Sequence, residues 1–122
     1  MAKSIARFKG DIGQVTDDVV GEILRNSDTS EIEERQDTDG IRIRIIERYS
    51  AFSGSRLSMS LVFIERDGYV YVFAATTGGS KAILIKIDTV GEGTFMDLFN
   101  RTVIRLGGII IDPAAYAGLG FY

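Results

Sequence analysis

Residues 57–75 read Leu-Ser-Met-Ser-Leu-Val-Phe-Ile-Glu-Arg-Asp-Gly-Tyr-Val-Tyr-Val-Phe-Ala-Ala, and this stretch decides the fold. Asp67-Gly68 lies between two runs that alternate with a period of two. This arrangement is typical of a hairpin with a two-residue type I′ turn, because both turn residues tolerate positive φ. Such a turn pairs Arg66 with Tyr69 and so sets the register of the whole hairpin.

The two faces of this hairpin are both apolar but differ in kind. One face places Phe63 opposite Val72 and Leu61 opposite Ala74, and it suits a core beneath helices. The residues of the other face are larger and partly aromatic: Val62, Ile64, Tyr69, Tyr71 and Phe73. An open sheet normally shows water a polar second side, so we expect this aromatic face to be covered.

The residues before the hairpin predict a strand, a helix and two more strands. Residues 2–9 alternate weakly, and Asp11 with Gln14 forms a capping-box pattern that begins a helix over about 11–25. The polar stretch 26–40 predicts a loop or a solvated edge strand. Beyond it Ile41, Ile43 and Ile45 alternate with arginines until Ile46 breaks the pattern, which predicts a bulge near Ile45 and Ile46.

The residues after the hairpin predict another strand over 81–87 and a helix over about 90–106 that Gly107 closes. The element order therefore predicts an α+β domain. An antiparallel sheet of about five to six strands carries the N-terminal and C-terminal helices on one face, with a helix-grip arrangement as one option. A ferredoxin-like sandwich fits less well, since its second helix would have to lie between strands.

We expect residues 1–106 to form this single domain, with residues 107–122 as an apolar C-terminal extension. The extension holds one charged residue among sixteen, unlike a solvated tail. It is expected to pack on its own domain or on a second subunit.

Composition excludes several kinds of chemistry. The chain has no Cys and no His, so it has no disulfide framework, no thiolate or imidazole zinc site and no Ser-His-Asp triad. Residues 1–40 carry five basic and ten acidic side chains, whereas residues 41–86 carry seven and three. The net charge of −3 argues against a general nucleic-acid partner. The start has no apolar signal region and no stretch reaches membrane-spanning length, so we expect a cytoplasmic protein without a membrane partner.

Two groups of residues are candidates for binding an anion. The turn around Gly78-Gly79-Ser80 offers backbone N–H groups together with Thr77, Lys81 and the guanidinium of Arg48. It lacks the spacing of a P-loop, and a plain connection between strands is the simpler interpretation. Arg42, Arg44, Arg48 and Arg56 predict a basic stripe, for which acidic residues of the first 40 positions and Glu47 are the simplest partners. No metal site and no cofactor are expected.

Three short motifs occur in an order that resembles a family of small bacterial proteins classed as a domain of unknown function. They are Glu47-Arg48-Tyr49-Ser50, Gly78-Gly79-Ser80 and Lys86-Ile87-Asp88-Thr89-Val90-Gly91-Glu92. The resemblance covers residues 1 to about 104, and the residues after Gly107 depart from the family pattern. No activity is attached to that family, so the resemblance implies no catalytic residue.

The sequence favours a non-enzymatic binding or interaction domain that forms a homo-oligomer through the aromatic face or the C-terminal extension. The residues expected at that interface are Val62, Ile64, Tyr69, Tyr71, Phe73, Ile110, Tyr116 and Phe121. The alternative is a carrier of a small anionic or apolar ligand. Its cavity would lie between the sheet and the C-terminal helix, lined by Leu57, Met59, Leu61, Phe95 and Phe99. An enzyme that works without His or Cys is the second alternative.

Overall fold

The structure is a computed structural model that describes residues 2–27, 30–50, 55–78 and 95–112. These residues form six strands, β1 (Ala2–Lys9), β2 (Ser30–Thr38), β3 (Ile41–Ser50), β4 (Ser55–Arg66), β5 (Tyr69–Gly78) and β6 (Ile109–Ile110). They also form two helices, α1 (Ile12–Arg25) and α2 (Phe95–Arg105). The strand expected over 81–87 and the helix start expected at residue 90 lie outside the described residues.

The six strands make one antiparallel sheet in the order β2-β3-β4-β5-β1-β6. Four of them follow one another as a meander, and the first strand of the chain then pairs with β5. The short strand β6 pairs with part of the other edge of β1. The predicted α+β domain with an antiparallel sheet is confirmed.

The β4–β5 hairpin has the predicted turn and register. Asp67 and Gly68 have φ angles of 53° and 81°, as a type I′ turn requires. Arg66 lies opposite Tyr69, and the pairs that follow are Ile64 with Tyr71, Phe63 with Val72, Val62 with Phe73 and Leu61 with Ala74.

Both helices pack on the aliphatic face of the sheet, as predicted. Every second residue of β4, from Leu57 to Phe63, is buried there together with the apolar stripes of α1 and α2. Burying these side chains is the main stabilising contribution to the fold, at roughly 25 cal/mol per Å² of apolar surface. All five side chains proposed to line a carrier cavity, Leu57, Met59, Leu61, Phe95 and Phe99, are buried in this core.

The helix ends follow the sequence signals with one difference. The Asp11 carboxylate accepts a hydrogen bond from the Gln14 N–H at 3.0 Å, but the Gln14 side chain donates to Asp18 and does not return to Asp11. At the end of α2, Gly107 has a φ of 84° and donates to the Ile104 carbonyl, while Gly108 donates to the Val103 carbonyl. These two bonds are a Schellman motif.

The polar stretch before Gly40 forms an edge strand, β2, whose residues are mostly exposed. The predicted irregularity is present, but the extra residue lies in β2. Ile32 pairs with Ile46 and Glu34 pairs with Ile45, so Glu33 has no partner residue in β3. Charged side chains and a bulge are both means by which an edge strand avoids pairing with another chain.

Neither of the two described helices is long and apolar enough to cross a membrane.

Candidate functional site

The face of the sheet opposite the helices, here called the open face, carries two neighbouring rows of largely apolar side chains. The first row runs from β1 to β3 through Arg7, Tyr71, Ile64 and Ile41. The second row runs in parallel through Ile5, Phe73, Val62 and Ile43. Ile109 of β6 extends the first row, because it pairs with Arg7. Apart from Arg7, the rows form an apolar patch that extends across most of the sheet.

No helix or strand of the described residues packs on the open face, yet its side chains differ in exposure. Ile41 is 38% exposed and Ile109 is 55% exposed, which are large values for isoleucine. Tyr71, in the middle of the first row, is only 8% exposed. The patch therefore combines exposed apolar side chains at its margins with a shielded centre.

Charged side chains border the patch. The guanidinium carbon of Arg7 lies 4.6 Å from the centre of the Tyr69 ring, a cation–π contact. At the other end of the sheet, Arg56 donates a hydrogen bond to the Glu47 carboxylate at 3.0 Å. An apolar centre with a charged rim is the usual composition of a protein interaction surface.

The arginines of the predicted basic stripe divide between the two faces. Arg42, Arg44 and Arg48 lie on the helix side of β3, whereas Arg56 lies on the open face, so the prediction of one stripe was wrong for Arg56. The reason is that Tyr49 pairs with Arg56, which puts both on the side opposite Arg48. The sequence does not show where β3 ends and β4 begins, so it does not show which face Arg56 takes.

Arg44 is buried and is neutralised within the chain. Its guanidinium donates to the Asp37 carboxylate at 2.6 Å and to the Ile43 carbonyl at 2.8 Å. The Arg44 guanidinium lowers the pKa of Asp37, and Arg42 adds to the effect. The expectation that acidic residues of the first 40 positions pair with these arginines is confirmed at Asp37.

The residues proposed to bind an anion are placed by the structure only in part. Arg48 lies over the ring of Phe95, with 5.2 Å from its guanidinium carbon to the ring centre. Leu57 pairs with both Arg48 and Gly78, so these two residues share one end of the sheet. Thr77 is exposed and lies on the open face, whereas Arg48 lies on the other face of the sheet. Gly79, Ser80 and Lys81 lie outside the described residues.

Acidic side chains gather at the bulge of β2. A hydrogen bond with Glu31 is the main cause that raises the pKa of Glu33, and repulsion from Glu31 and Glu47 adds to it. Across the residues that the structure describes, no three His, Cys, Asp or Glu side chains are grouped so that they could hold a metal ion.

A cleft of about 110 Å³ lies where β1 meets the start of α1, next to Leu106. Two carboxylates that line the cleft already accept hydrogen bonds within the chain. Asp11 caps α1, and Asp18 accepts a hydrogen bond from Gln14.

The chain matches a protein-family model. A family model covers residues 1–107, that is, every strand and helix described above except β6. The chain belongs to DUF6054, a family of unknown function. No curated protein and no solved structure matches the chain.

In this DUF6054 chain the residues predicted for an interface are partly brought together. Val62, Ile64, Tyr69, Tyr71 and Phe73 share the open face. Ile110 pairs with Ala6 and so lies on the helix side of the sheet, where it is 38% exposed. Tyr116 and Phe121 lie outside the described residues.

Sequence reasoning missed four members of the open face of the DUF6054 domain: Ile5, Ile41, Ile43 and Ile109. The alternation of Ile41 and Ile43 with arginines was a usable signal, but it did not say which face met the hairpin. Ile5 and Ile109 depend on the pairing of β1 with β5 and β6, which joins distant parts of the chain.

Proposed function

We propose that the chain is a non-enzymatic interaction domain that self-associates through the open face of its sheet. The observation that carries this proposal is the pair of apolar rows, which no described element covers and which include Ile41 at 38% exposure. The largest apolar patch on the surface of a protein is often functional. A second copy of the chain presents the same surface and is the simplest partner.

The size of the patch indicates that this association is weak. Five strands span about 24 Å and two rows about 14 Å, which gives on the order of 340 Å². A stable dimer usually buries about 800 Å² on each partner. We therefore expect a concentration-dependent equilibrium between monomer and dimer.

The pKa shifts among the described residues arise from contacts within the fold. The carboxyls with a shifted pKa among the described residues are Glu22, Glu33 and Asp37, and each shift has neighbouring side chains of the fold as its main cause. Glu22 lies on α1, whereas Glu33 and Asp37 lie apart on β2.

Light scattering and sedimentation equilibrium over a wide concentration range test this proposal. Ser60 is exposed on the open face between Ile45 and Ala75, so Ser60→Arg adds bulk and charge without removing a buried side chain. Ile41→Lys adds a charge at the margin of the patch. We expect each variant to raise the dimer dissociation constant at least tenfold, which corresponds to about 1.4 kcal/mol.

The matched control is Ile104→Lys. Ile104 is 68% exposed on α2, on the other side of the molecule from the open face. Ile104→Lys therefore makes the same chemical change as Ile41→Lys at a site away from the patch. The dimer dissociation constant of Ile104→Lys should equal that of the parent. A parent that stays monomeric at every concentration, or a control that dissociates like Ser60→Arg, contradicts association through the open face.

A further inference from the structure

We propose that the second copy on the open face is related to the first by a two-fold axis along β4, so that Lys3 of each copy pairs with Glu34 of the other. This inference rests on the proposed function, because it states how the second copy lies on the same surface. The distribution of charge across the open face carries it.

The β1 side of the open face is basic. Every second residue of β1 lies on this face, because Ile5 pairs with Phe73 and Arg7 pairs with Tyr71. Three of these residues carry a positive charge: Lys3, Arg7 and Lys9. No acidic residue of β1 or β5 lies beside them, because neither strand contains Asp or Glu.

The β2 side of the open face is acidic. Glu34 pairs with Ile45 and Glu31 pairs with Glu47, so both β2 carboxylates lie on the open face, where they are exposed. The pKa of the neighbouring Glu33 is raised, first by a hydrogen bond with Glu31, and repulsion from Glu31 and Glu47 adds to the effect. Such repulsion shows that the negative charge at this side of the sheet is not fully neutralised by the chain's own cations.

Lys3 and Glu34 lie at the two ends of one row of the open face. The row runs from Lys3 through Ala75, Ser60 and Ile45 to Glu34. Its four strand spacings of about 4.8 Å place the two ends roughly 19 Å apart, too far for an ion pair within one copy. Within the ranges that the structure describes, neither Lys3 nor Glu34 forms an ion pair.

The middle of this row is Ser60, which lies on β4, the third of the five strands from β2 to β1. A half-turn about an axis along β4 therefore exchanges the two ends of the row. Stacked sheets lie about 10 Å apart, a gap that extended Lys and Glu side chains can bridge from opposite sides. Lys3 of each copy then faces Glu34 of the other, and the symmetry makes this pair twice.

The same half-turn keeps the apolar patch in contact with itself. It places Phe73 of one copy over Ile43 of the other, because these residues flank Val62 of β4 in their row. The strands of the two sheets run in nearly the same direction, as in the aligned packing of β-sandwiches.

The other symmetric arrangement has its axis across the strands. It places β1 over β1 and β2 over β2, so that basic residues face basic residues and acidic residues face acidic ones. Like charges that face each other across an interface disfavour binding, and complementary charges fix its register. The apolar rows allow both arrangements, and the charges select the axis along β4.

Two charge reversals, Lys3→Glu and Glu34→Lys, test this orientation. In a dimer of either variant alone, both pairs consist of like charges. In a mixed dimer of the two variants, both pairs consist of opposite charges again. At an ionic strength of about 0.1 M, where the screening length is about 10 Å, sedimentation equilibrium of each variant alone should give a dissociation constant raised by about tenfold or more. Sedimentation of the mixture, with one variant fluorescently labelled, should give a mixed dimer within about threefold of the parent's dissociation constant.

The matched control is Asp17→Lys on α1, an exposed position away from the open face. It makes the same change in charge as Glu34→Lys and should not weaken association. Both changes bring the net charge of −3 closer to zero, so overall repulsion alone predicts tighter association for Glu34→Lys, the opposite of our expectation.

The outcomes separate this inference from the proposed function. If the parent associates but the mixture binds no better than the single variants, or if either single variant binds as tightly as the parent, the orientation is wrong. Association through the open face then stands or fails on Ser60→Arg alone. A control that weakens association as much as Glu34→Lys also contradicts the orientation. A parent that is monomeric at every concentration overturns both proposals.

Discussion

Gly108 lies where the chain turns back from α2 to the sheet, and the site has no room for a side chain. A Cβ atom added there would lie 2.6 Å from Phe8 Cε1 and 2.9 Å from Val103 Cγ1. Both neighbours are buried, so neither can move away freely. The requirement for glycine at this position comes from packing, unlike that at Gly107, whose φ is positive.

We predict that Gly108→Ala lowers the free energy of unfolding by about 1–3 kcal/mol, the usual cost of forcing extra atoms into a packed core. The matched control is Gly21→Ala in α1, where the new Cβ would lie 3.5 Å from the Arg25 guanidinium, an ordinary contact. That change should raise stability by about 0.5–1 kcal/mol, because alanine restricts the unfolded chain and favours helix. Urea unfolding of both variants measures the difference, and a tolerated Gly108→Ala contradicts the packing argument.

Glu22 makes the stability of the fold depend on pH in the acidic range. Hydrogen bonds from Arg25 and then from Arg105 lower the pKa of this carboxyl from 4.5 to about 2. Arg105 belongs to α2, so the ion pair joins the two helices. A carboxyl whose pKa falls on folding stabilises the protein above its unfolded pKa and loses this effect as the pH falls.

The expected result is that Glu22→Gln is less stable than the parent at pH 7, and that the difference disappears between pH 4.5 and about 2. Asp17→Asn, an exposed change of equal charge on the same helix, is the control. Melting temperatures recorded from pH 7 to pH 2 test this. A difference between Glu22→Gln and the parent that is the same at every pH contradicts the linkage.

At the scale of elements, the acidic side chains at the bulge of strand β2 lower the stability of the folded protein at neutral pH. The pKa of Glu33 is raised, first by its hydrogen bond with Glu31. A carboxyl whose pKa rises on folding makes the folded state relatively less stable above that pKa, and stability returns as the pH falls through it.

We therefore predict that Glu33→Gln raises the melting temperature at pH 7, and that this gain shrinks as the pH is lowered past the pKa of Glu33. Glu34→Gln removes the same charge from the neighbouring exposed residue and should give a smaller gain. Thermal unfolding at pH 7 and at pH 4 distinguishes the two. Equal gains for both variants would mean that only the net charge matters.

The elements differ in how far the sequence predicted them. The β4–β5 hairpin was predicted to the residue, because the Asp67-Gly68 turn links two strands that are adjacent in the chain. The pairing of β1 with β5 was not predicted, since no local signal connects Ile5 with Phe73. The sequence of β2 is consistent with a loop as well as an edge strand, because the strand is stabilised by β3 and not by apolar residues of its own.

At the scale of the whole molecule, the same limit applies to the candidate site. The aromatic half of the open face followed from the hairpin register, whereas Ile41 and Ile43 joined it only once β3 was paired with β4. The prediction put Arg56 in the wrong group, because its face depends on its pairing with Tyr49, which the sequence does not show. Residues of a surface are therefore predictable within one hairpin, and their grouping across strands depends on the complete sheet.

The position of β1 inside the sheet also has a consequence for protein synthesis. Its residues pair with residues 60 to 74 positions later in the chain, from Lys9 with Tyr69 to Ala2 with Thr76. At about 5–20 residues per second, the ribosome needs roughly 3 to 15 s to make that partner after β1 has emerged. The α2 residue Asn100, which bonds Ser4, is made later still. Among the long strands described, β1 is thus made before the others but is the last to find its place, and until then the nascent chain carries an unpaired strand that a chaperone could bind.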